Sequence, residues 1–195
     1  MSSPTTTGLD PKVVIENKIR LYASRKRPCV PNIATIQFLK ARIHLCEQLH
    51  YVTFQDTLER QWFFTYFLSQ THNGSWYISH GGGSPHEPDD LPEMLSQPLP
   101  WLRLTSGSIG GTFHAGGEVI DKGFDIVRVC LVSQSGSILE DTVEDGLVLF
   151  QGTSMVITPM QAELYNRANE IINRQMVFTS PLFSSVVNGE KAQGL

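Results

Sequence analysis

Three histidines, His72, His80 and His86, fall within fifteen residues, beside Glu87, Asp89 and Asp90. Imidazole and carboxylate together can bind a divalent cation. A catalytic zinc site needs a fixed scaffold, such as His-Glu-x-x-His on one helix face, and the sequence has none. His80 precedes three glycines and His86 sits among prolines, so both read as solvated loop residues. No metal is expected, and His80 and His86 are the side chains that come nearest to a ligating pair. A second cluster, Glu140, Asp141, Glu144 and Asp145, lacks the Asp-x-Asp-x-Asp-Gly spacing of a calcium loop. On a strand its first two members point to opposite faces. The run reads as a solvated strand edge whose charge discourages edge-to-edge pairing.

Phosphate loops and nucleophiles fare no better. Gly107, Gly110, Gly111, Gly116 and Gly117 have no Gly-Lys-Ser/Thr and no following helix, so they read as a flexible loop. Gly107-Ser108-Ile109-Gly110 has the wrong spacing for a nucleophile elbow. Cys46 could be drawn with His44 or His50, but positions two apart on a strand sit ~7 Å apart, too far for proton transfer. Cys130, two residues from Arg128, reads by default as a buried, inert thiol. No catalytic residue is assigned and no cofactor is expected. Aromatic residues are the richest remaining resource. Trp62, Phe63, Phe64, Tyr66 and Phe67 are followed by Trp76 and Tyr77. Such strands usually build core. If they line a cleft instead, its ligand-binding set is Trp62, Phe64, Tyr66 and Trp76, with His50 as the polar group (His44 and His72 are the other histidines near it).

The elements that must position these residues are legible in outline. The chain has 195 residues with 41% hydrophobic and 17% charged, enough for one large domain or two small ones and too apolar for disorder. Asp10 can cap a helix, Pro11 suits its first position, and Val14, Ile15, Ile19 and Tyr22 fall near one face. The helix should stop near Lys26, before Pro28. Residues 34–57 fit helical and strand spacing, with strand preferred for its cleaner alternation. The aromatic stretch 62–68 suits a strand covered on both sides, Asn73-Gly74 a hairpin turn, and Trp76-Tyr77-Ile78 the return strand. Gly81-Gly82-Gly83 reads as the end of this meander. Prolines and acidic residues then mark a linker. From Trp101 onward, short strands alternate with turns at Ser135-Gly136, Asp145-Gly146 and Ala168-Asn169, as in a sandwich or barrel.

Charge and cysteine usage bound the partners. Residues 1–60 carry nine Lys/Arg and five Asp/Glu, whereas residues 61–195 carry six and fourteen. The basic group Lys18, Arg20, Arg25, Lys26 and Arg27 reads as a solubilising helix end. An acidic chain with no basic stripe argues against nucleic-acid binding. Cys29, Cys46 and Cys130 include no CxxC pair, and their odd number fits a reducing, cytoplasmic compartment. No signal peptide and no run of ~18 apolar residues is present, so no membrane span is expected.

The second half carries Arg128-Val129-Cys130-Leu131-Val132, Ser135-Gly136-Ser137, Glu140 to Gly146, Phe150, and Ala162-Glu163-Leu164-Tyr165-Asn166-Arg167. With these, residues 118–178 resemble a β-sandwich module of bacterial uncharacterised proteins, similar to immunoglobulin-like or fibronectin-like accessory domains. The resemblance implies display or interaction rather than catalysis. The sequence departs from it in having no Cys pair between sheets.

The expectation is therefore a mainly β (α+β) chain. Residues 1–9 are expected to be disordered, 10–83 to form a helix on an antiparallel meander, and 84–98 to form a Pro-rich acidic linker. Residues 99–181 are expected to form an immunoglobulin-like sandwich, with a flexible tail at 182–195. The expected function is non-enzymatic binding or scaffolding of bacterial type, with a protein partner or self-association. The alternatives are a small-molecule binder or enzyme using the aromatic residues of a cystatin-like α+β module, and a structural subunit of a larger assembly.

Overall fold

The structure is a computed structural model that describes residues 9–22, 30–86, 96–109, 112–152 and 159–178. The expected disorder at the N-terminus, the tail from 182, the basic residues Arg25, Lys26 and Arg27, Cys29, and linker residues 87–95 lie outside them. A single helix, α1 (Pro11–Tyr22), precedes antiparallel strands among the described residues. Asp10 caps it: its carboxylate accepts the Lys12 amide at 2.7 Å and its carbonyl accepts the Val14 amide at 3.1 Å. Ile15 and Ile19, one turn apart, are its fully buried residues.

β1 (Pro31–His44), β2 (Glu47–Asp56), β3 (Gln61–Gln70) and β4 (Trp76–His86) form a meander in that order, the helix-side sheet. The ambiguous stretch 34–57 is thus strand, as its alternation suggests. Gly81-Gly82-Gly83 does not end this sheet, because β4 runs through it in register with β3. A Cβ at Gly81 would lie 2.7 Å from the Tyr66 ring, and one at Gly82 would overlap the Ser106 carbonyl. Glycine here lets rings lie across the strand on one face and a second sheet approach on the other.

That second, middle sheet holds β5 (Trp101–Ile109), β6 (Thr112–Ile120) and β9 (Leu147–Gly152), in the order β5-β6-β9. The anticipated flexible loop is therefore strand at Gly107, Gly116 and Gly117, while Gly110 and Gly111 lie outside the described residues. The glycines answer to packing. A Cβ at Gly116 would sit 2.7 Å from the Tyr51 ring and 2.8 Å from Thr65. The outer sheet holds β7 (Ile126–Ser133), β8 (Ile138–Thr142), β10 (Met160–Asn166) and β11 (Ile171–Phe178), in the order β11-β10-β7-β8. Asp145 and Gly146, which join β8 to β9, both have positive φ (51° and 75°), as a tight hairpin turn requires.

The layers stack as helix, helix-side sheet, middle sheet and outer sheet. Ile15, Ile19, Val52, Phe54, Phe64 and Leu68 pack between helix and meander. Leu49, Tyr51, Phe63, Phe67 and Leu149 pack between the meander and the middle sheet. Leu102, Phe113, Val129, Leu131, Phe150 and Leu164 fill the space between the middle and outer sheets. No described helix is long and apolar enough to cross a membrane.

Two polar fixtures pin the stack. Gln175 of β11 accepts the Leu102 amide at 2.8 Å and donates to its carbonyl at 2.6 Å, occupying backbone groups of edge strand β5. Asp141 of β8 is 7% exposed, not the solvated residue its acidic neighbourhood suggests. It accepts Lys40 Nζ at 2.9 Å, an Arg42 guanidinium N–H, and the Leu149 amide at 2.6 Å. Lys40 also donates to the carbonyls of Thr142 and Leu147, at 3.0 and 3.2 Å. Removing one partner of such a buried pair leaves the other charge uncompensated, at a cost of about 3–5 kcal/mol. Asp141→Ala is expected to lower the unfolding free energy by that amount in urea titrations. Glu144→Gln, at the exposed rim of the same cluster, is expected to change it by under about 1 kcal/mol.

Candidate functional site

The aromatic candidates come together on the face of the helix-side sheet that α1 covers. Antiparallel register sets Phe54 opposite Trp62 and His50 opposite Tyr66. The rings stack in series, with centroids 6.2 Å apart for Trp62–Phe64 and 5.5 Å for Phe64–Tyr66. Trp76 packs at the margin of the same cluster. His50 lies beneath the start of α1, 3% exposed, with Nε2 2.8 Å from Gln48 Oε1 and the edge of Phe38 against its ring. Its Nδ1 is buried with no hydrogen-bond partner among the described residues. Burial, assisted by the Lys12 ammonium, lowers its pKa to about 4.

These five residues share one face, but mostly as core. Trp62, Phe64 and Tyr66 are 8%, 4% and 3% exposed, so little ring surface is left for a ligand. A half-open cleft of about 230 Å³ lies beside them, lined by Lys18, Phe64, Tyr66 and Ile78 to Gly81. Pockets for drug-sized ligands commonly hold about 300–1,000 Å³.

The histidines are arranged differently from their order in sequence. His80 is not a loop residue. It pairs with Phe67 in the β3–β4 ladder and turns toward the middle sheet. There its ring meets His114 of β6, with centroids 5.1 Å apart. His114 is fully buried, lies parallel to Phe67, and has Nδ1 3.0 Å from Thr65 Oγ1. Burial, with His80 alongside, lowers its pKa to about 3. His86 ends β4, and its side chain is not among those described. No three His, Cys, Asp or Glu side chains among the described residues are close enough to hold a metal. His72 is exposed at the β3–β4 turn. His44 and Cys46 are exposed at the β1–β2 hairpin, while His50 is buried under the helix and bonded to Gln48.

The outer face of the outer sheet carries a second array. Register places Ile138, Val132, Gln161 and Met176 in one row across its four strands. The next row is Glu140, Cys130, Glu163 and Arg174, and the third is Thr142, Arg128, Tyr165 and Ile171. Arg128 stacks 3.9 Å from the Tyr165 ring centroid and pairs with Glu140 at 2.8 Å. Arg174 pairs with Glu163 at 2.9 Å. Burial and the hydrogen bond to Glu140 push the Cys130 thiol up to about 11, so it is not a poised nucleophile.

No protein family, curated protein or solved structure matches this chain. The site therefore rests on the geometry alone. His114 is the residue that sequence reasoning passed over, and Asp141 is one it read as solvated. His114 had a signal: Phe113 and Ala115 alternate with His114 and Gly116, which is strand periodicity partly concealed by the glycines.

The buried imidazoles make stability sensitive to acid. His50 and His114 stay neutral in the fold down to about pH 4 and about pH 3, whereas unfolded histidine protonates near ~6.5. Above about pH 7 neither state binds the proton and stability is independent of them. Below ~6.5 the unfolded chain takes up protons the fold refuses, and stability falls by up to about 1.4 kcal/mol per pH unit per ring. Urea midpoints should drop steadily from pH 7 to 5, and His50→Gln should roughly halve the slope. A midpoint independent of pH over that range contradicts the assignment.

Proposed function

We propose that the chain is a non-enzymatic binding protein of scaffolding type that holds a protein partner on the outer face of its outer sheet. The observation that carries this reading is the row across that face. Ile138 is 61% exposed and Met176 51% exposed, with half-buried Val132 between them. Fully burying such side chains contributes about 1.5–3 kcal/mol each, enough to anchor a partner. The neighbouring row of Glu140, Glu163 and Arg174 is partly fixed by ion pairs and would set the partner's register more than its affinity. An immunoglobulin-like module of bacterial type, used for display or interaction, is compatible with two facing antiparallel sheets, the outer one uncovered on its far side among the described residues. Unpaired thiols at Cys46 and Cys130 fit a cytoplasmic location.

The small-molecule reading has one specific observation in its favour, the cleft beside α1. It is the lesser reading because Phe64 and Tyr66 already spend their surface on packing.

Retention of proteins from a source-cell extract on the immobilised chain tests the proposal, with native mass spectrometry of the same preparation. Proteins held by the wild type and lost at least about tenfold by Ile138→Asp with Met176→Lys support it, provided circular dichroism shows the double variant folded. Equal retention by both chains overturns it. So does a bound mass that disappears on denaturation with no protein retained, which would favour the cleft.

A further inference from the structure

The seam between the helix-side and middle sheets holds a hydrogen-bond chain with one loose end. Thr65 Oγ1 donates to the Gly82 carbonyl at 3.3 Å, which uses its only proton. With that proton on the Gly82 carbonyl, the same oxygen accepts from His114 at 3.0 Å, which is the arrangement that places the His114 proton on Nδ1. That tautomer leaves Nε2 of His114 as a bare lone pair. It is buried, and no donor among the described residues reaches it. A ring nitrogen held this way, with its other nitrogen donating to an oxygen, is in the state of a metal-ligating histidine.

His80 faces it. Both rings crowd the same point beside Gly107, where a Cβ would lie 2.6 Å from His80 Nε2 and 2.8 Å from His114 Cε1. Glycine at 107 therefore keeps that side open to two imidazoles. Their separation can be compared with a bound ion. Zinc–nitrogen bonds run about 2.0–2.1 Å, and a ring centre lies about 1.1 Å beyond its nitrogen, so two imidazoles at tetrahedral positions have centres about 5 Å apart. The observed separation is 5.1 Å.

We propose that His80 and His114 together bind a divalent transition ion of the zinc class at the edge of this seam. His114 supplies Nε2 from the interior. His80 is half-buried and brings the ion to the solvent side, where water fills the remaining positions. Imidazole suits zinc, copper and nickel over magnesium or calcium. Ion binding would tie β4 to β6 and close the two sheets against each other.

Isothermal titration of the full chain with Zn²⁺ at pH 7 tests the site. The wild type is expected to bind one ion per chain, and His80→Asn to weaken that binding at least about tenfold. Thr65→Val removes the acceptor that sets the His114 tautomer and is expected to weaken it by about 10–100-fold. His114→Asn empties a fully buried position, so the judgement rests on His80→Asn at a half-buried site, which is expected to keep the wild-type circular dichroism spectrum. No saturable binding by the wild type overturns the proposal. So does His80→Asn binding as tightly as wild type, which would place the ion on the exposed histidines instead.

Discussion

Asp141 is bonded to all three sheets at once. It stands on β8 of the outer sheet, takes cations from β1 of the helix-side sheet, and accepts an amide from β9 of the middle sheet. Among the described residues the middle sheet has three strands, β5-β6-β9, so β5 and β9 are its edges. A carboxylate with two cations and a backbone donor completes the hydrogen bonding that such a junction would otherwise leave unmade. The geometry ties strands from early and late in the chain into a single stack of layers. Lys40 extends the knot by donating to two β-strand carbonyls beside it.

Close approach of the sheets is the second constraint, and glycine meets it. Gly82 and Gly116 stand where the helix-side and middle sheets are nearest, and Gly107 stands where two imidazoles converge. Large residues fill the rest of that interface, among them Tyr51, Phe63 and Phe67. The same tightness explains why the aromatic strand makes no roomy pocket. Its rings on one side are roofed by Ile15 and Ile19, and those on the other side interlock with the middle sheet. Among the described residues, the far face of the outer sheet is the one without a covering layer, alternation having turned the other side of each strand to the core.

Function follows from what is covered and what is not. The chain's strongest apolar residues are consumed in holding four layers together, and its buried titratable groups include the neutral histidines His50 and His114 and the ion-paired carboxylates Asp56 and Asp141. The outer face of the outer sheet combines exposed Ile138 and Met176 with charges already fixed in pairs, and the proposed binding role rests on that combination. The histidine seam stands apart from that face and concerns the cohesion of the inner sheets.

Local signals determined the kind of fold. The Asp10-Pro11 start of α1, the Asn73-Gly74 and Asp145-Gly146 turns, and the alternation of β7, β10 and β11 are legible because each depends on a few neighbouring residues. The role of the glycines was decided only in three dimensions. Nothing near Gly81 in sequence distinguishes a loop from a strand pressed against a tyrosine ring. The same is true of the candidate sites. Trp62, Phe64, Tyr66, Trp76 and His50 could be grouped from sequence because they lie on adjacent strands, yet whether they line a cleft or a core depends on where the helix lands. Lys40 and Asp141 are 101 residues apart, and His114 reaches Thr65 across 49. Such contacts arise from the stacking of separate sheets, which burial energy drives but no local pattern encodes.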